Sequence, residues 1–222
     1  MSGAARGFFP VVPPHPDRRR LRLAIAVTDA ATGARLVEGI EVKASGLEGR
    51  AVTNASGFFV LLDEPGRPTG EITVAAPGQP YLPAAPVTPP VDHDRRAALH
   101  VALLPSRAYP LRAGVLAVRG RVMAGAAPLP AVQVAAEALL DAPRDVGWRW
   151  VALPFDARTD AAGEFLRLLP LTAEAFVPNG PAPPTARVRM RFTNAAETRE
   201  GPNLLVAPND APTLPDFDWN AT

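Results

Sequence analysis

Cysteine is absent from this chain of 222 residues. That excludes a disulfide framework and any thiolate metal site. Lysine is almost absent. Of 23 basic residues only Lys43 is a lysine, which leaves 22 arginines and almost no amine chemistry. Histidine occurs three times, as His15, His93 and His100, too scattered to suggest a triad or a ligand set. The Asp-His-Asp run at 92–94 lacks a further ligand at helical or hairpin spacing. No apolar run approaches the roughly 18 residues of a membrane-spanning helix. An excess of one charge sign is missing too. The net charge is +1, which gives no global attraction to nucleic acid or to an anionic bilayer. The N-terminal stretch lacks the continuous apolar segment of a secretory signal. The expectation is therefore a cytoplasmic protein without membrane insertion and without nucleic acid as a partner.

Proline is present in excess, with 27 residues, and 47% of the chain is hydrophobic. Proline interrupts helices and central strands, so this composition predicts globular material built from short strands and rigid loops. Residues 1–20 read as an N-terminal arm. Phe8, Phe9, Val11 and Val12 sit there among Gly and Pro with no period. They pack back on the first domain, dock on a neighbour, or remain disordered.

Beyond the arm, period-two alternation recurs. Leu21, Leu23, Ile25 and Val27 share one side. Ile40 and Val42 point inward against Glu41 and Lys43. Leu99, Val101 and Leu103 share a face, with His100 on the opposite one. The pattern restarts at Leu116, Val118, Gly120 and Val122, opposite Arg119 and Arg121, and again at Val188, Met190 and Phe192. A last strand is expected in the segment 203–208, and the tail after it reads as loop.

One phrase is written twice. Thr53-Asn54-Ala55-Ser56-Gly57-Phe58-Phe59 returns as Thr159-Asp160-Ala161-Ala162-Gly163-Glu164-Phe165, 106 residues on. Its chemistry is that of a turn. An Asx side chain bonds backbone N–H groups ahead of it, glycine takes the positive φ, and the last Phe enters the core. The duplication predicts two domains, 21–108 and 109–208, after the arm 1–20 and before a C-terminal tail 209–222. Pro105 and Pro110 make the linker between them short and stiff.

These residues resemble the motif of the carboxypeptidase regulatory-like domain, a transthyretin-like Greek-key sandwich. The second unit carries it most fully, in Gly120, Val122, Pro128, Leu129, Val132, Val134, Thr159, Asp160, Gly163 and Phe165. The resemblance covers roughly residues 21–104 and 112–194. It implies an all-β chain of two tandem Greek-key transthyretin-like β-sandwiches, and an accessory role in place of catalysis. A relative of the fold crosslinks itself through Lys and Asn or Asp. Here the second unit has no lysine, and Lys43 has no matching Glu.

No nucleophile elbow, zinc-protease helix, phosphate loop or calcium loop occurs. The expectation is a non-enzyme with no catalytic residue, no metal and no cofactor. Binding is sought on the surface instead. Between matched valines and threonines the first unit spans 11 residues (Val42 to Thr53) and the second 25 (Val134 to Thr159), an insertion of 25 − 11 = 14. It holds Trp148, Arg149 and Trp150. Trp and Arg dominate interaction hot spots, and two Trp at i, i+2 point the same way on a strand. They form a protein contact, a sugar-stacking platform, or a cover for the domain's own core. Arg187, Arg189 and Arg191 make a basic stripe, either a solvated face or a contact for an acidic strand. Together with Phe8 and Phe9 these are the candidate contact residues. The function they imply is a structural or adaptor subunit that binds other proteins in a larger assembly built inside the cell. The phage-tail-like contractile injection particle is the nearest analogy. The alternative is a glycan- or surface-binding module.

Overall fold

The computed structural model describes residues 21–45, 51–62, 70–89, 98–141 and 147–221. Among them the chain is all-β, with one short 3-10 turn at Ala173–Ala175. Two separate hydrophobic cores divide it into two β-sandwich bodies.

The first body contains β1 (Leu21–Asp29), β2 (Glu41–Ala44), β3 (Val52–Thr53), β4 (Phe59–Leu62), β5 (Ile72–Ala75) and β6 (Ala98–Leu103). One sheet has the order β3-β4-β1-β6, and β2 pairs with β5 to form the other. β1 runs antiparallel to β4 and parallel to β6. The alternation seen in the sequence becomes burial. Leu23, Ile25, Val27, Phe59, Leu61, Val101 and Leu103 face Val42, Ala44, Ile72 and Val74 across the sandwich, while Glu41 and Lys43 face water.

The second body contains β7 (Ala117–Ala124), β8 (Ala127–Pro128), β9 (Gln133–Asp141), β10 (Trp148–Ala152), β11 (Ala157–Arg158), β12 (Glu164–Leu168), β13 (Val177–Asn179), β14 (Ala182–Asn194), β15 (Glu197–Val206) and β16 (Phe217–Asp218). One sheet orders β12-β7-β16. The other runs β10-β9-β14-β13, with β11 on β9 and β15 on β14. Val118, Val122 and Phe165 pack against Val134, Ala136, Val188, Met190 and Phe192. Each of the larger side chains contributes about 1.5–3 kcal/mol on burial. Gly120 is required beside Phe165: a Cβ there would lie 2.7 Å from the ring.

The repeated phrase builds the same turn twice. Asn54 Oδ1 accepts from the N–H of Ser56 (3.0 Å) and Phe58 (2.9 Å). Asp160 Oδ1 accepts from Ala162 (2.9 Å) and Glu164 (2.9 Å). Gly57 and Gly163 follow at φ +73° and +71°. Phe59 and Phe165 then enter their cores.

Of the segment expected to be a C-terminal tail, 209–222, residues 209–221 are instead part of the second body. β16 pairs parallel with β7, as β6 pairs parallel with β1. It is thus the closing strand of the second body. Phe217 stacks on Phe192 at 4.4 Å, and Trp219 is 7% exposed. The second body therefore extends past 208. Pro212 and Pro215 precede the strand and disguise it, because the tail shows only two consecutive residues in ladder geometry and no alternation.

The linker is bound to both bodies. The carboxylate of Asp29 accepts from the hydroxyls of Tyr109 (2.6 Å) and Tyr81 (3.2 Å). Burial and these bonds to the carboxylate push both tyrosine hydroxyls above their ordinary value. On the other side Arg119 donates to the carbonyls of Arg107 and Tyr109. Glu164 receives Arg107 and Arg121. Burial pushes the Glu164 carboxyl up, but the two guanidinium groups outweigh it and hold the carboxyl below its usual range. Arg158 closes the seam by donating to the carbonyl of Pro83 at 2.7 Å.

Candidate functional site

Strand register places the two sequence-predicted clusters on one surface. β10 pairs with β9 so that Trp150 lies opposite Leu139 and Ala152 opposite Glu137. β9 pairs with β14 so that Glu137 lies opposite Arg189 and Ala135 opposite Arg191. β15 adds Leu205 opposite Arg187 and Asn203 opposite Arg189. Side chains alternate faces along a strand. Val134, Ala136, Ala138, Val188, Met190 and Phe192 are buried in the core. Their neighbours Glu137, Leu139, Arg187, Arg189 and Arg191 therefore lie on the outer face, with Trp148 and Trp150. Arg149 is separated from them: it registers with Leu140 and sits on the opposite face of β10.

The missed residue that organises this face is Glu137. One oxygen accepts from Arg189 Nε at 2.9 Å and also pairs with its terminal nitrogen. The other accepts from Arg191 Nη1 at 3.0 Å. Burial pushes the Glu137 carboxyl up. The hydrogen bonds and charges of Arg189 and Arg191 overcome that and hold it below the usual carboxylate range. The Arg189 guanidinium in turn lies 4.7 Å over the Trp150 ring, a cation–π contact. Two of the three stripe arginines are thus fixed in place, not simply solvated. Arg187 is exposed and has no partner among the described residues. Trp148 is 52% and Leu205 64% exposed. Trp148 is therefore no core cover, whereas Trp150 is half-buried under Arg189. The sequence contains Glu137 at outward parity in β9, but only the cross-strand register brings it between two arginines.

A second unforeseen residue anchors the insertion. Arg167 is fully buried on β12, two positions after Phe165 and on the same inward side. Its guanidinium donates to the carbonyls of Leu153 (2.9 Å), Pro154 (3.0 Å), Phe155 and Leu168 (2.7 Å). Asp156 lies 3.8 Å away. Burial pushes the guanidinium down to about 10, only partly offset by Asp156, so it stays charged at neutral pH. The loop that follows β10 is thereby tied to the body through three consecutive carbonyls. The same loop holds Phe155 at φ +66° and 62% exposed, a conformation that a non-glycine residue adopts at a cost. An arginine at inward parity was the available sequence signal.

His100 is exposed on β6, as its parity required. It shares a groove at the seam with Asp156, but Asp156 is engaged by Gln133 at 2.5 Å and by Arg167. No nucleophile–base pair is formed there. Among the described residues no group of three or more His, Asp or Glu is placed to hold a metal ion. No described helix is long and apolar enough to cross a membrane. Phe8 and Phe9 lie outside the described residues.

The arrangement is an outer sheet face with an exposed ring, a ring under a guanidinium and one arginine without a partner among the described residues. Comparison with known proteins adds outlines only. No family model matches this chain, and no curated protein matches it in sequence. Among solved structures it is similar to the Bacillus anthracis TIE protein, at 14% identity and a TM-score of 0.28. There it covers 88% of this chain and 33% of the other. It is similar to a streptococcal ancillary pilin at 10% identity and a TM-score of 0.27, covering 92% and 64%. With the shaft pilin SpaA from Lactobacillus rhamnosus GG the values are 10% and 0.25, covering 90% and 97%. The chain thus spans a third of the first of these and under two thirds of the second. TM-scores this low establish no shared function.

Proposed function

We propose that this chain is a non-enzymatic structural or adaptor subunit, and that the outer face of the β10-β9-β14-β15 sheet is its protein-binding surface. One observation carries the reading. Two segments far apart in sequence converge on one face: Glu137 fixes Arg189 and Arg191, Arg189 covers Trp150, and the exposed Trp148 and Arg187 stand beside this fixed cluster. Fixed aromatic and arginine groups lose little freedom on binding, which is what a hot spot requires. The twice-built Asx turn and the twice-used parallel closing strand support a tandem of carboxypeptidase regulatory-like domains as the scaffold. The finer setting we propose is a particle assembled in the cytoplasm, with the phage-tail-like contractile injection system as the analogy.

The test is capture of partners from the native cell by the tagged full chain, followed by microscopy of the complex. The double variant Trp148→Ala with Arg187→Glu is expected to lose the partner while keeping its melting temperature. Retention of the partner by that variant refutes this surface. A glycan is the competing ligand. The guanidinium over Trp150 leaves Trp148 as the more open ring, which suits a protein contact better than a flat two-ring platform. A saturable change in Trp fluorescence on glycan titration, abolished by Trp148→Ala, decides for the glycan.

A further inference from the structure

At the seam the outer edge of β6 is open over part of its length. Ala30 N–H donates to the carbonyl of Leu103, so the backbone groups of odd residues in β6 point to β1. Those of the even residues point away. Leu104 is paired on that outer side: its carbonyl accepts from Leu82 N–H, and Tyr81 bridges Pro105. The covering segment then leaves the edge at Pro83, and the next N–H groups, of Ala84 and Val87, bond to Val74 and Ile72 of β5 instead. The backbone groups of Ala98, His100 and Ala102 are left without a strand partner among the described residues. Where the two segments diverge lies a groove of about 520 Å³, whose third wall is the second body. Ala84 and Ala85, Ala102, and Ala131 and Ala157 line its three walls, together with longer polar side chains such as His100, Gln133 and Arg158. Small side chains on every wall leave room for large ones.

We propose that this groove is a strand-acceptor site and that its occupant is the chain's own N-terminal arm, residues 7–12, added antiparallel to the open edge of β6. The argument is one of reach, direction and composition. The arm enters β1 at Leu21. β6 starts level with Ala24, at the same end of the sheet. A strand beyond β6 lies two strand spacings from β1, roughly 10 Å. Residues 13–20 form a connection of eight residues that reaches about 26 Å when extended. A segment descending into Leu21 must run antiparallel to β6, the direction already taken by Pro80–Leu82 along the same edge. Residues 7–12 read Gly-Phe-Phe-Pro-Val-Val. With Phe9 and Val11 as the residues bonded to β6, Pro10 falls at an outward position. There its missing N–H costs nothing, and proline on a new outer edge blocks further strand addition. Phe8 and Phe9 alternate sides along such a strand, so one of the two rings can turn to the alanines of the groove.

The absence of cysteine makes the test clean. Ala102→Cys is combined in the full-length chain with single cysteines at each of positions 8 to 12, and oxidised gently. The expected result is a disulfide within one chain at alternate arm positions, since only neighbouring strands bring Cβ atoms within bonding range. As a decoy, Val52→Cys, exposed on the far edge of the sheet, is expected to stay free. Equal linkage to the decoy, or no linkage at position 102, overturns the proposal. Linkage between two chains at position 102 overturns it in favour of a second copy's arm. Hydrogen exchange in the cysteine-free chain provides the second readout. The amides of His100 and Ala102 are expected to exchange at least about tenfold faster in the double variant Phe9→Asp with Val11→Asp. Unchanged exchange refutes docking even where a cysteine variant misfolds. Loss of the partner captured by the outer sheet face bears on that face alone and leaves this result untouched.

Discussion

Replacing Arg167 by Met tests whether a buried cation holds the loop after β10 in place. Met keeps the length and the apolar stem of the side chain and removes every donor. Four carbonyl oxygens, of Leu153, Pro154, Phe155 and Leu168, then lose their partner. Two effects oppose each other. Removing a charge that no solvent reaches relieves a desolvation penalty of several kcal/mol. Stranding the acceptors costs about 1–3 kcal/mol for each that stays buried and unhydrated. Breaking a buried charge cluster from one side costs about 3–5 kcal/mol on balance. In a chain of this size each kcal/mol shifts the melting temperature by roughly 2–4 °C, so a drop on the order of 10 °C is expected for the second body. Arg167→Lys keeps the charge with fewer donors and a different geometry, and is expected to fall between the two. Denaturant titration measures the loss, and Trp fluorescence locates it. Trp148 and Trp150 stand on the strand that leads into the clamped loop, while Tyr81 and Tyr109 report on the first body. A loss below about 1 kcal/mol for Arg167→Met means that the loop hydrates its carbonyls freely, and the clamp argument fails.

Trp219→Ala is expected to cost about 3–5 kcal/mol, because the ring is buried in the second core. A loss under about 1 kcal/mol in urea unfolding would mean that the closing strand is dispensable. Glu137 supplies the pH dependence. Its folded-state value lies below the ordinary 4.5, so the stability it contributes is present at neutral pH and is lost as the pH falls from that value through the folded one. Wild type is expected to exceed Glu137→Gln at pH 7, with the gap closing below about pH 4. A gap that persists at pH 3 shows that the arginine–carboxylate cluster is not its source.

The duplicated frame was legible because its determinants are local. Alternation fixed β1, β7 and β14, and the Thr-Asx-x-x-Gly-x-Phe phrase fixed a turn whose bonds span only four residues. Trp148, Trp150 and the arginine stripe were legible as residue types on strands. What escaped was set by register between distant strands. Glu137 matters only because Arg189 and Arg191 lie opposite it, and Arg167 only because the loop after β10 crosses above it. β16 escaped because it is two residues long, preceded by prolines, and pairs with a strand that begins 100 residues earlier.

The two bodies differ in a way that accounts for the wide outer face of the second. In the first body β2 and β5 form a sheet of two short strands, with Val87 bridged to Ile72 at its edge. In the second body the equivalent pair, β9 and β14, is lengthened to 9 and 13 residues. It gains β10 from the insertion on one side and β15 on the other. Widening a sheet adds outer surface faster than core, because the opposing sheet, β12-β7-β16, has not widened with it. Part of the added strands therefore has nothing to pack on from within. The residues on its outer side meet solvent or a partner, and Trp148 and Leu205 stand at the two flanks of that face. Charge fills the middle of the face, where Glu137 joins Arg189 and Arg191 across β9 and β14 and leaves Arg187 without a partner among the described residues. Expanding one sheet of a duplicated scaffold thus creates a rigid surface without disturbing either core. The first body, unexpanded, keeps the open edge of β6 at the seam.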